Sequence, residues 1–221
     1  MAASLIDRVR VVYEDRSVIV VDKPAGLLTM GTDSEKLNTL YAALRAHANT
    51  GRPPEKIFIV HRLDREASGL LVFAKTIEAK GYLQDQFKDH SAGRRYVAVV
   101  EGSVRPDEFT IRSYLAENAA LKVYTTPRPA AGKLAITHVR VLKRGPNTSR
   151  LEVKLETGRK HQIRVHLAER GHTIVGDKGY GSRFNPIRRL ALHGTHLEFR
   201  HPETHQVMKF DSPVPKTFGV L

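Results

Sequence analysis

The chain has 221 residues and a mass of 24.8 kDa, which suits one domain of somewhat more than typical size. It carries 36 Lys and Arg residues against 23 Asp and Glu, a formal net charge of +13, and this excess predicts a polyanionic partner. A hydrophobic fraction of 41% excludes disorder for most of the chain, and the absence of cysteine excludes disulfides, thiolate zinc sites and cysteine nucleophiles.

The N-terminal segment, Met1–Arg16, interrupts its short apolar runs with charged residues, so no signal-peptide core is predicted. No later stretch approaches the roughly 18 consecutive apolar residues that a membrane span needs. We therefore expect no membrane partner and a cytoplasmic location.

Short runs rich in β-branched residues predict strands. These strands are Arg10–Tyr13, Ser17–Val21, Lys56–Val60, Gly69–Phe73, Tyr96–Val100 and Ile136–Leu142. Helical spacing predicts helices over Leu37–Ala48 and Ile77–Phe87. Gln162–Arg170 fits either a helix or a strand, and the glycine that follows it favours a helix. The irregular order of these elements predicts an α+β fold with a mixed, largely antiparallel central sheet flanked by helices.

Two loops, Gly51–Pro54 and Thr126–Gly132, are predicted from their proline and glycine content, and neither is long enough for an interdomain linker. Further along, Arg150–Arg200 holds 11 Lys and Arg residues against 5 Asp and Glu, an excess of six positive charges. This excess favours a phosphate-binding face. A solvated charged surface is the alternative.

The segment His61–Thr76, HRLDREASGLLVFAKT, places a charged block between two predicted strands. A loop between core strands can hold polar catalytic groups rigidly. The segment resembles the catalytic motif of the RluA family of RNA pseudouridine synthases. Other segments resemble further motifs of that family in the same order: Val21–Leu28, Arg94–Gly102, Glu156–Leu167, Ile174–Gly181 and Leu190–His193. The resemblance implies a cofactor-free isomerase that converts uridine in RNA to pseudouridine.

The resemblance also implies roles for individual residues. Asp64 is the expected catalytic aspartate, Tyr96 is expected to stack on the target uracil, and Arg164 is expected to pair with the aspartate. An arginine beside a carboxylate keeps it ionised in a pocket that excludes water. Arg62, two residues before the aspartate, is expected to enter the space left by a flipped base or to hold a phosphate.

Each assignment has a structural alternative. Tyr96 could be an ordinary core residue, and Arg164 could contact a phosphate. His61 is interpreted as a residue that holds the loop by a hydrogen bond rather than one that reacts. Lys23 and Pro24 are interpreted as turn and surface residues.

The histidine pairs, such as His193 and His196, lack an HExxH arrangement and a third ligand at fixed spacing, so no metal site is expected. Neither a Walker A run nor a GxGxxG fingerprint occurs, so no nucleotide cofactor is expected. Two other functions stay open. One is an RNA-binding module without catalysis, and the other is a nuclease in which Asp64 holds Mg²⁺ together with Asp22 or Asp177.

The first motif begins at Val21, which leaves no room for the separate N-terminal RNA-binding domain that many relatives acting on large ribosomal RNA carry. We therefore expect a single catalytic domain over residues 1–221, acting as a monomer. This absence favours tRNA or a short stem-loop as the substrate, with ribosomal RNA still open.

Overall fold

A computed structural model describes residues 5–31, 35–50 and 55–220, and the chain divides into two compact units. The first unit is the chain up to Gly93 together with Gly194–Ser212. The second is Arg94–His193 together with the chain from Pro213. Both contain antiparallel strand pairs and helices, which confirms the predicted α+β fold. No helix within the described ranges is long and apolar enough to cross a membrane.

The strands are β1 (Arg10–Glu14), β2 (Val18–Lys23), β3 (Phe58–Ile59), β4 (Ser68–Ala74), β5 (Gly93–Glu101), β6 (Glu108–Glu117), β7 (Val123–Thr126), β8 (Lys133–Arg144), β9 (Thr148–Leu155), β10 (Leu192–Arg200) and β11 (Val207–Asp211). The α-helices are α1 (Leu40–Ala48), α2 (Ile77–Lys88) and α3 (Gln162–Glu169). Short 3₁₀ helices cover Pro129–Ala131, Lys178–Tyr180 and Lys216–Val220.

In the first unit the strand order is β1-β2-β4-β10, with β3 paired to β4 and β11 paired to β10. The paired strands β2 and β4 are buried along nearly their whole length, which explains why both are continuous apolar runs. Helix α2 begins after Thr76, whose hydroxyl accepts a hydrogen bond from the Ala79 N–H at 3.1 Å. Ala79 and Leu83 of this helix pack into the same core cluster as Val72. The core therefore fixes β4, the strand that directly follows the His61–Ala67 loop.

In the second unit the strand order is β5-β9-β8-β6-β7, and all of these neighbours are antiparallel. Val165 of α3 packs with Leu115, Val123 and Ala135. This packing seats α3 against strands of the sheet.

All six predicted strands are present, although Lys56–Val60 contains only the two-residue strand β3. Helix α1 begins at Leu40, three residues later than predicted, because the Thr39 hydroxyl caps the helix there. The helix predicted over Gln162–Arg170 is present as α3, which ends at Glu169 with Arg170 as its C-cap, and Gly171 follows at φ +80°. The strands β6, β7, β9, β10 and β11 are absent from the sequence-based prediction. The predicted loop Gly51–Pro54 lies outside the described residues.

Candidate active site

Asp64 lies half-buried in the loop that leads into β4. The loop enters the sheet at Gly69, where φ is +120° and a Cβ atom would lie 2.3 Å from the Gly194 carbonyl oxygen. Only glycine fits both this backbone conformation and this close approach of two strands. The glycine of the SGLL segment therefore fixes the end of the loop that carries Asp64.

Lys23 is fully buried, and its ammonium group lies among backbone carbonyl oxygens. Its Nζ donates to the carbonyls of Leu27 and Ala67 at 2.7 Å each. It also lies 3.0 Å from the carbonyl oxygen of Pro24 and 3.2 Å from that of Arg65. These acceptors offset the cost of burying the ammonium group. The prediction that Lys23 is a turn or surface residue is therefore wrong, because its side chain joins the first motif to the Asp64 loop.

A second contact holds the backbone on the other side of Asp64. Thr29 is buried, and its hydroxyl donates to the Leu63 carbonyl at 2.8 Å and accepts from the Leu63 N–H at 3.2 Å. The N–H of Gly26 donates to the Arg65 carbonyl at 2.8 Å. The residues immediately before and after Asp64 are therefore both anchored to the segment 23–29.

The remaining charged residues of the loop differ in their surroundings. His61 Nε2 accepts from the Val72 N–H at 3.2 Å, and its ring stacks on Phe87 at 4.3 Å between centroids. The hydrogen bond supports the interpretation that His61 holds the loop. Arg65 pairs with Glu35 at 2.6 Å. Arg62 is exposed, and its predicted contact with a phosphate or with the space left by a flipped base stays a prediction.

Arg164 is buried on α3, and Asp177 holds it in a two-pronged contact. Nε donates to Asp177 Oδ2 at 2.7 Å and Nη2 donates to Oδ1 at 2.8 Å. The side chains are 8% and 1% exposed, so the pair is well shielded from water. A parallel pair of charge-assisted hydrogen bonds fixes the plane of the guanidinium group. Since both carboxylate oxygens of Asp177 accept from arginine, this contact does not favour a Mg²⁺ ligand role for Asp177.

Tyr180 also lies beside this guanidinium group. The Arg164 Cζ lies 5.1 Å from the centre of the Tyr180 ring. The Tyr180 hydroxyl donates to the Val123 carbonyl at 3.2 Å. It therefore accepts from His161 Nδ1, which lies 2.9 Å away. Sequence reasoning matched the segment Ile174–Gly181 to a family motif but missed that its residues Asp177 and Tyr180 contact Arg164.

Tyr96 lies in β5 opposite Val153 of β9 and is 6% exposed. Its stacking on uracil stays a prediction. Asp64 belongs to the first unit, whereas Tyr96 and Arg164 belong to the second, and the predicted pairing of Arg164 with Asp64 also stays a prediction.

His166, two residues after Arg164, is buried on α3. Its ring nitrogens lie 2.9 Å from the hydroxyls of Ser113 and Thr137. Burial lowers the pKa of His166 to about 4, so the ring is neutral at pH 7. The helix that presents Arg164 therefore gains no second positive charge from this histidine.

The predicted phosphate-binding stretch includes an exposed loop with a well-held backbone. Glu101 Oε1 accepts from the Ser182 hydroxyl at 2.6 Å and from the N–H groups of Arg183 at 3.0 Å and Phe184 at 3.2 Å. The side chains of Arg183 and Arg188 are exposed. Both are therefore accessible to a phosphate in solution.

Comparison with known proteins gives matches to RNA pseudouridine synthases. The sequence profile of the family described as RNA pseudouridylate synthase matches residues 17–169. The chain is 39% identical over 217 residues to ribosomal large subunit pseudouridine synthase D of Neisseria meningitidis serogroup A, covering 93% of this chain and 58% of that protein. It is 39% identical over 222 residues to the protein of the same name from Pseudomonas aeruginosa, covering 94% and 69%.

A solved structure shares the fold. The human protein RNA Pseudouridylate Synthase Domain Containing 4 matches with a TM-score of 0.82 at 22% identity, covering 99% of this chain and 92% of that one. This likeness bears on the fold alone. The chain spans less than two thirds of the length of the Neisseria protein, at 58%.

Proposed function

This chain belongs to the RNA pseudouridylate synthase family, and on that premise we propose that it isomerises uridine in RNA to pseudouridine without a cofactor. The reaction breaks the bond between N1 of uracil and C1′ of ribose, turns the detached base, and joins C5 to C1′. C5 loses its proton and N1 gains one, so the product has the composition of the substrate. Neither an oxidant nor a reductant is needed.

One observation carries the proposal: the half-buried Asp64 stands on a loop whose backbone is anchored on both sides. A reaction on a base that has left its stack needs a fixed carboxylate in a pocket that receives the nucleotide. An aspartate that only paired with a surface arginine would not need such anchoring. The loop therefore supports Asp64 as the reacting carboxylate.

We assign the stacking of the target uracil to Tyr96 and the pairing with Asp64 to Arg164. What supports the second role is the orientation of the guanidinium group. Its two-pronged contact with Asp177 fixes the plane of the guanidinium group. Arg62 is assigned to the phosphate or to the space left by the flipped base.

We propose a structured stem-loop of ribosomal RNA as the substrate, with tRNA as the other outcome of the test. The Neisseria and Pseudomonas relatives are named for the large ribosomal subunit, which favours ribosomal RNA over the tRNA expected from sequence. The net charge of +13 supports either polyanion equally. The Tyr96 role suits an unpaired base in both.

The test uses the purified chain with transcripts of large-subunit ribosomal RNA and of tRNA, each carrying uridine tritiated at C5. Because C5 exchanges its hydrogen for a carbon bond, turnover releases tritium into water. We expect release from one transcript class, with the same rate in EDTA. Binding without release would favour the RNA-binding module, and RNA cleavage that EDTA abolishes would favour the nuclease.

A further inference from the structure

We infer that Thr29 is a positioning residue for Asp64: its hydroxyl clamps the backbone of Leu63 and so sets the direction in which the Asp64 side chain leaves the loop. The inference rests on the proposed function, which it deepens by naming a group that holds the reacting carboxylate in place.

The clamp uses one side chain for both backbone groups of one residue. The Thr29 hydroxyl donates to the Leu63 carbonyl at 2.8 Å and accepts from the Leu63 N–H at 3.2 Å. Thr29 is 2% exposed and Leu63 is 7% exposed. Water is therefore a poor substitute for the hydroxyl, and its loss would leave a buried donor and a buried acceptor without this partner.

The clamp reaches Asp64 through a rigid peptide unit. The Leu63 carbonyl belongs to the planar peptide group that Leu63 shares with Asp64. After Asp64, the Arg65 carbonyl accepts from the Gly26 N–H at 2.8 Å. The Cα of Asp64 thus lies between two anchored stretches of backbone. Misplacing a reacting group by about 1 Å can lower a rate about 100-fold, so a loose peptide here should affect the chemical step first.

Thr29 is itself held by the start of helix α1. The carbonyls of Leu28 and Thr29 accept from the N–H groups of Leu40 at 2.8 Å and Tyr41 at 3.0 Å. The first N–H groups of a helix have no partner within the helix and need one outside it. Helix α1 therefore fixes Thr29, and Thr29 fixes the Asp64 loop.

Three variants distinguish the effect of the Thr29 hydroxyl from the effect of side-chain shape and from a general loss of stability. Thr29→Val keeps the branched shape and removes the hydroxyl, whereas Thr29→Ser keeps the hydroxyl. Thr76→Val is the matched control, because the Thr76 hydroxyl also accepts from a backbone N–H, that of Ala79 at 3.1 Å. This control lies in the same unit but contacts α2 instead of the Asp64 loop.

The first readout is tritium release in single turnover, together with the Kd for the same RNA. Thr29→Val should lower the rate about tenfold or more and leave Kd within about twofold, since the hydroxyl is buried and bonds to the protein backbone. Thr29→Ser and Thr76→Val should stay within about threefold of wild type in both quantities. A wild-type rate in Thr29→Val, or an equal loss in Thr76→Val, would overturn the inference.

The second readout is hydrogen exchange at the Leu63 amide, which needs no activity. Exchange should be about tenfold faster in Thr29→Val and unchanged in Thr29→Ser and Thr76→Val. Unchanged protection of the Leu63 amide in Thr29→Val would show that the Thr29 hydroxyl does not hold the Leu63 backbone. If wild type shows no turnover, the proposed function fails and the catalytic part of the inference fails with it, whereas the clamp is still decided by exchange.

Folding is checked by thermal unfolding of each variant, and Thr29→Ala replaces Thr29→Val if the latter does not fold. If neither folds while Thr29→Ser does, the hydroxyl is required for folding, and its positioning role is overturned.

Discussion

Acidification should destabilise the protein through His166, on the helix that carries Arg164. Burial lowers the pKa of His166 from 6.5 to about 4, whereas the unfolded chain takes up this proton near pH 6.5. Between pH 6.5 and 4 the unfolded state therefore binds more protons than the folded state. The free energy of unfolding falls as the pH falls through this window.

The size of the effect follows from the difference between the two pKa values. Each tenfold change in proton affinity corresponds to about 1.4 kcal/mol. With a folded pKa of about 4, the loss reaches about 2 kcal/mol at pH 5 and about 3 kcal/mol at pH 4. Because a domain of this kind is stabilised by about 5–15 kcal/mol in total, the loss is measurable by urea unfolding.

The assay compares urea unfolding of wild type and His166→Gln at pH 7 and pH 5. Wild type should lose about 2 kcal/mol more than the variant between these pH values, while His90→Asn, a change at an exposed histidine, should follow wild type. Burial raises the pKa of Glu14, but hydrogen bonds from Lys75 and His47 outweigh burial and lower it below 4.5. The contribution of Glu14 to the free energy of unfolding is therefore lost mainly below pH 5, outside the range of the assay. Equal losses in wild type and His166→Gln would refute the reasoning.

Arg164→Lys should abolish most turnover in the tritium assay while RNA binding is kept, because lysine cannot make the two-pronged contact with Asp177; a fully active Lys variant would contradict this role. Asp177→Asn should lower the single-turnover rate about tenfold or more with an unchanged Kd for RNA, and an unchanged rate would show that the contact is structural only. Arg188→Ala should reduce the slope of log K against log salt by about 0.7–0.9 if the arginine contacts a phosphate. Tyr96→Ala should cut turnover and leave that slope intact, since a ring that stacks on a base releases no counterion; the opposite pattern in salt titrations would reverse the two assignments.

The apolar pattern of the chain predicts β2 and β4 well and β6 poorly. β2 and β4 are buried on both faces, so each is a continuous apolar run that stands out from its surroundings. β6 is only partly buried along its length. Its residues 108–117, EFTIRSYLAE, alternate weakly between apolar and polar, and this weaker signal could have identified it.

For the candidate site, the sequence identifies the residues in the motifs but not the residues that hold them in place. The motifs identify Asp64 and Arg164, because each lies in a segment with a distinctive pattern. The groups that hold them are far away in sequence: Thr29 contacts a residue 34 positions later, and Lys23 contacts residues 42 and 44 positions later. A pattern within one segment carries no information on such contacts. Only the fold reveals that Asp177, 13 positions after Arg164, is its partner.

The most direct test of the central claim compares Asp64→Asn with Asp22→Asn in the tritium-release assay. Both changes remove one carboxylate charge from the first unit at constant volume. Asp22 is the control, and its carboxylate accepts a hydrogen bond from the Ser212 hydroxyl at 2.5 Å. If Asp64 is the reacting carboxylate, Asp64→Asn should release no tritium above background while RNA affinity and thermal stability match wild type, and Asp22→Asn should keep turnover within about tenfold of wild type. Turnover by Asp64→Asn within tenfold of wild type would contradict the account.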